Sequence, residues 1–162
     1  MRSEPRVLCV DKLGNCQAFI LAVALRRALS REKELSHVEV DWAGISEEDC
    51  KSIVSDLVLG SLTAVGLGIE LHRIGGRFEC YPLSTVPEPS SCNLIICSES
   101  YQVTQVRGKV GPDPVIILAN APEGICLPEK IPAEAYFACV NMIVKKVVPP
   151  IISQVKDILV PA

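Results

Sequence analysis

Residues 6–18 read Arg6-Val-Leu-Cys-Val-Asp-Lys-Leu-Gly-Asn-Cys-Gln-Ala18, and the fold turns on this stretch. Residues 6–10 are apolar after the first and carry two valines, the pattern of a short strand buried on both faces. Residues 11–15 form a loop containing Gly14. From Cys16 to about Leu29 the apolar positions recur at helical spacing, with Phe19, Ile20, Val23 and Ala24 on one face. Arg26, Arg27 and Arg31 cluster towards the end, where cations offset the negative end of the helix dipole.

Outward from this strand–loop–helix unit the alternation repeats. A second strand is predicted over 38–41, leading into Trp42-Ala43-Gly44. A helix is predicted from about Glu47 to Val65, continuous or in two pieces, with Gly66 as its C-cap. Residues 68–91 carry no clear period. Further strands are predicted over 93–97 and 115–119, with a helix over 99–106 between them. A long closing helix starts at about Ala133, and Pro149-Pro150 should kink or divide it. The series predicts one α/β domain over 1–162: a three-layer sandwich with a four-stranded parallel sheet, order 2-1-3-4, and helices on both faces.

The composition sets bounds. The chain has 162 residues, enough for one sizeable core, and is 49 % apolar and 22 % charged, which is globular. Aromatics supply only 4 %, so the core is aliphatic. A formal charge of −3 gives no reason to expect nucleic acid or an anionic membrane surface. The N-terminal residues have no signal-peptide pattern, and the longest apolar run after the first strand, 19–25, is far short of the roughly 20 residues of a membrane span. A cytoplasmic location is expected. Of the eight cysteines (9, 16, 50, 80, 92, 97, 126 and 139) no two form Cys-x-x-Cys, and neither His37 nor His72 lies near one. That speaks against a zinc site and for reduced thiols, several of them acting as small hydrophobes. No metal and no cofactor are expected.

In parallel sheets of this kind ligands sit at the carboxyl ends of the strands, so the loop Asp11, Lys12, Leu13, Gly14, Asn15, Cys16, Gln17 is the candidate site. A glycine-containing turn feeding a helix N-terminus aims several backbone N–H groups into one cup, which suits an oxyanion.

Val7–Ala18 resembles the opening of the low-molecular-weight protein tyrosine phosphatases, whose consensus there reads Val-Leu-Phe-Val-Cys-Leu-Gly-Asn-Ile-Cys-Arg-Ser. Residues 38–44 are similar to that family's second strand and Ser-Ala-Gly segment. Residues 68–77, with His72-Arg73, resemble its Gly-Ile-Asp…His-Arg-Ala-Arg stretch, 92–99 its third strand, and 135–158 its closing helix. The resemblance spans nearly the whole chain. It implies a site with a cysteine nucleophile, an arginine six positions later that clamps phosphate, and an Asp-Pro general acid before the last helix.

At the places the resemblance assigns to these groups the chain has other residues. Asp11 stands for the nucleophile (Lys12 in the other alignment), Gln17 for the arginine and Ala18 for the serine after it. The residues six places after the eight cysteines are Asn15, Ala22, Asp56, Val86, Ser98, Val103, Pro132 and Lys145, none of them arginine. Ile131-Pro132-Ala133-Glu134 stands where the general acid belongs, and Asp113-Pro114 precedes the last strand instead of following it. Cys97 resembles the resolving cysteine of arsenate reductases, whose chemistry needs the same missing pair, and is read as a core residue. Trp42 and Tyr81 are candidates for the cleft rim. The expected function is therefore a catalytically degenerate phosphatase-fold protein that binds a protein or small anionic ligand, with room for a weak homodimer. The alternatives are a hydrolase using Asp11, Lys12 and Glu134 in the same cleft, and a flavodoxin-like phosphotransfer or redox domain.

Overall fold

A computed structural model describes residues 5–12, 17–46, 52–75, 78–119 and 133–160. Strand β1 (Arg6–Asp11) lies at the centre of a parallel sheet, between β2 (Glu39–Gly44) and β5 (Leu94–Cys97), and β6 (Val115–Leu118) extends the sheet beyond β5. All of Val7 to Asp11 is buried, as a strand covered on both faces requires. The expected parallel α/β sheet is present, in the order β2-β1-β5-β6. That sheet has the expected four strands, and the expectation is corrected only by an addition: two short strands, β3 (Ser52–Ile53) and β4 (Glu79–Cys80), pair antiparallel in a separate ribbon. Two-residue strands are too short to show a period of two in sequence.

Helix α1 (Gln17–Ser30) is enclosed on all sides over residues 17–25 rather than along one stripe, and Phe19 to Leu25 are each at most 4 % exposed. A helix apolar all round belongs in a core. It packs under β1 and β2 with α2 (Asp56–Leu62), α3 (Gly68–Ile74), α5 (Ala133–Met142) and α6 (Val148–Leu159) in one cluster. Helix α4 (Ser100–Val110) covers the opposite face through Val106 and Val110, which meet Leu8, Val10, Ile95 and Cys97. The sheet is thus a middle layer.

The second helical region departs from expectation. Its predicted start at Glu47 lies outside the described residues, but β3 intervenes and the described helix begins at Asp56, where the Ser55 hydroxyl accepts the Val58 N–H. Gly66 breaks the run at φ +94° inside a π turn over Thr63–Leu67, and α3 follows in the stretch that carried no period. The closing helix divides as Pro149-Pro150 suggested: a π turn, Ile143–Val147, separates α5 from α6. The runs Asp56–Ile74 and Glu134–Leu159 are long and apolar enough, by length and composition alone, to cross a bilayer. Here each carries a break and puts residues such as Val58, Leu62, Val140 and Ile151 into the shared core.

Phe19 is the hub of the aromatic contacts, edge-on to Trp42 at 4.9 Å and to Phe78 at 5.7 Å. Replacing Phe19 with Ala is expected to cost about 3–5 kcal/mol of unfolding free energy in urea titrations. A loss under about 1 kcal/mol would contradict this packing.

Candidate functional site

The carboxyl ends of β1, β2 and β5 meet where the first loop begins. Asp11 is the last residue of β1 and is 8 % exposed. Its backbone oxygen accepts the Ile45 N–H at 3.0 Å, and the Lys12 oxygen accepts the Ser46 N–H at 2.9 Å, so the segment after β2 pins the start of the loop. On the other side the Val10 oxygen accepts both the N–H and the hydroxyl of Ser98, each at 3.1 Å. Ser98 is buried directly after β5. Its placement follows from the strand ending at Cys97, a signal in the sequence that was read only for its cysteine.

The side chain of Asp11 turns to the first turn of α1, where one carboxylate oxygen accepts the Ala18 N–H at 3.0 Å. The first N–H groups of a helix have no partner within it, and the dipole favours negative charge there. A carboxylate from the preceding strand therefore fills the role that an N-cap residue or a bound anion would fill. Gln17 opens the helix and is 5 % exposed. Asp11 and the start of α1 are thus brought together. Lys12 is exposed. Leu13, Gly14, Asn15 and Cys16 lie outside the described residues.

The remaining candidates stand apart from that contact. Glu134 is exposed on the first turn of α5. Trp42 faces α1: its ring meets Phe19, its indole N–H donates to the Glu79 oxygen at 3.3 Å, and the Arg26 guanidinium lies 5.5 Å above it. Arg26 is held there by the Val40 oxygen at 2.8 Å and the Asp41 carboxylate at 3.2 Å. Tyr81 sits nearer the carboxyl edge, since its backbone oxygen accepts the N–H of Gly44, the register partner of Asp11. Its ring is half exposed, and its hydroxyl donates to the Glu79 carboxylate.

Cys9, Cys92, Cys97 and Cys139 are free thiols, and Cys80 is buried. Burial pushes the Cys9 thiol strongly up, with the Asp11 and Asp41 charges adding to the effect. Burial likewise raises Cys92, against a smaller opposing effect of Arg6, and raises Cys97 to about 11, against Arg107. All three are neutral at physiological pH, whereas a thiol nucleophile works as the thiolate. Among the described residues no group of three or more His, Cys, Asp or Glu side chains is placed to hold a metal ion.

The sequence matches no family model and no curated protein. Solved structures match over almost its full length, and they are low-molecular-weight protein tyrosine phosphatases in fold. One is a protein tyrosine phosphatase from Entamoeba histolytica, at TM-score 0.69 and 10 % identity, covering 95 % of this chain and 98 % of that one. The low-molecular-weight phosphotyrosine phosphatase of Vibrio cholerae O395 matches at TM-score 0.67 and 15 % identity, over 94 % and 97 % of the two chains. Wzb of Vibrio vulnificus matches at TM-score 0.68 and 14 % identity, over 94 % and 99 %. The likeness is one of fold.

Two outcomes are expected of the thiols. A short iodoacetamide pulse at pH 8, mapped by mass spectrometry, should leave Cys9 and Cys97 unmodified in the native protein. Cys97 titrates near its ordinary value of 9.0 when unfolded and near 11 when folded. The folded state therefore holds the proton more tightly, and its stabilising effect is complete below pH 9.0 and lost as pH rises towards 11. Urea midpoints should fall over that window, less steeply in Cys97→Ala.

Proposed function

We propose that this chain is a catalytically degenerate protein of the phosphatase fold, working in the cytoplasm by binding a protein or small ligand at the carboxyl edge of its sheet. The observation that carries this reading is the Asp11 carboxylate on the Ala18 N–H. In the likeness to low-molecular-weight phosphatases, Asp11 stands at the nucleophile's place and Gln17 at the arginine's. An internal carboxylate there uses a helix N–H otherwise directed at an incoming anion, and it repels that anion by charge. The Entamoeba phosphatase has Hepes in its active site, and Vibrio vulnificus Wzb is in complex with benzylphosphonate. Such sulfonate and phosphonate ligands are the kind of group that Asp11 would oppose.

Two further facts favour binding over turnover. The buried thiols are held neutral. Lys12 and Glu134, the groups a substitute mechanism would use, are both exposed to solvent, where neither gains the desolvated setting that tunes an acid or base. The half-exposed Tyr81 beside Gly44 and the exposed Lys12 offer a mixed aromatic and cationic rim to a partner.

Hydrolysis of para-nitrophenyl phosphate tests the reading. The native protein is expected to show no turnover above buffer, with or without added Mg²⁺. The double variant Asp11→Cys/Gln17→Arg, which restores both missing side chains, is expected to gain measurable activity. Turnover by the native protein that Asp11→Ala abolishes would overturn the proposal in favour of a carboxylate mechanism.

A further inference from the structure

The far end of α1, about 20 Å along the helix from the Ala18 contact, borders a different feature. A groove of about 340 Å³ opens between the last turns of α1 and the two interrupted helices, a volume within the usual range of small-molecule sites. Its walls are Val65 and Leu67 from the first π turn, Val144 from the second, and Ile152 from α6. Ala24 and Ala28, one turn apart on α1, leave the space open because their side chains are small. Both π turns border it: Gly66 turns the chain at φ +94° in the first, and Pro149-Pro150 follows the second at 143–147. Such π turns recur at functional sites.

The charges at the groove share one sign. Arg27, in the last turn of α1, and Arg31, just past its end, both line it. Arg27 donates one N–H to the Gly66 oxygen, which leaves further donors of the guanidinium available. The Arg31 side chain makes no hydrogen bond or ion pair among the described residues. The adjacent carboxylate of Glu32 is engaged by Lys156 at 2.8 Å instead. Lys145 and Lys146, exposed on the π turn that supplies Val144, add positive charge nearby.

We propose that this groove binds a free medium-chain fatty acid. Arg31 and Arg27 take the carboxylate through charge-assisted hydrogen bonds, and the alkyl chain lies along Val65, Leu67, Val144 and Ile152. Apolar walls alone select no head group, and guanidiniums alone select no chain. Their combination specifies an anion joined to an aliphatic tail. This site is separate from the Asp11 loop, and its occupancy stands or falls independently of whether that loop is catalytic.

The test is calorimetric titration of the full chain with laurate below its micellar range. Dodecyltrimethylammonium has the same chain with a cationic head, and acetate has the head without the chain. One-to-one saturable binding of laurate, with neither control binding, is expected. Arg31→Ala should weaken laurate by roughly tenfold or more, the size of a lost charge-assisted hydrogen bond. Ala28→Phe should block the groove, and circular dichroism checks that each variant remains folded. Arg31 is exposed, so its variant serves even where Ala28→Phe does not fold. No saturable laurate binding, equal binding of the cationic amphiphile, or unchanged affinity in Arg31→Ala would each overturn the proposal. Concentration-dependent self-association that Ala28→Phe abolishes, without laurate binding, would assign the groove to a second copy and overturn it as well.

Discussion

The Asp11 carboxylate lies 3.0 Å from the Ala18 amide and joins the end of a strand buried on both faces to the start of a helix buried on all sides over residues 17–25. Asp11 and Gln17, at the two ends, are both buried, so end groups there need partners from within the protein. Asp11 supplies one for the helix, while its own backbone oxygen is taken by Ile45. The sheet on one side and α2, α3, α5 and α6 on the other are arranged around this unit. Their positions depend on where β1 ends and α1 begins.

The same contact links fold to chemistry. A strand–turn–helix junction that leaves its N–H groups open is an anion site, and one that carries its own carboxylate has partly neutralised that site in advance. On the proposed reading, the interaction that stabilises the junction also narrows what it admits. The fold is shared with phosphatases, but it is the side chains that decide which chemistry is available.

What was legible in the sequence followed burial. Residues 6–10, 93–97 and 115–119 read as strands because their apolar runs are short and β-branched, and the structure has β1, β5 and β6 there within a residue or so. Pro149-Pro150 announced a break because two residues without N–H cannot continue the bonding pattern. Residues 68–91 carried no clear period and the helix before them was started too early, both for physical reasons. Two strands of two residues each have no period, and the acidic run at 47–49 resembled a helix start more strongly than Ser55 before Asp56 did. Helix α3 begins only two residues after a left-handed glycine. At the site, the loop 11–17 was legible from its place after the first strand, and Asp11 and Gln17 were singled out within it only by the resemblance. The direction of the Asp11 side chain was not legible, since a residue at a strand end can face the loop, the helix or solvent. Trp42 was ambiguous likewise, and its place against Phe19 and Arg26 depends on strand register.

Asp11 occupies the Ala18 N–H at the start of the helix, and a ¹⁵N NMR titration with inorganic phosphate tests most directly whether it holds the anion's place. The Ala18 amide of the native protein should not shift as phosphate is added at neutral pH. In Asp11→Asn, which keeps the shape and removes the charge, the same amide should shift and saturate. A saturable Ala18 shift of equal affinity in the native protein would contradict the account, because the carboxylate would then not be holding the anion's place.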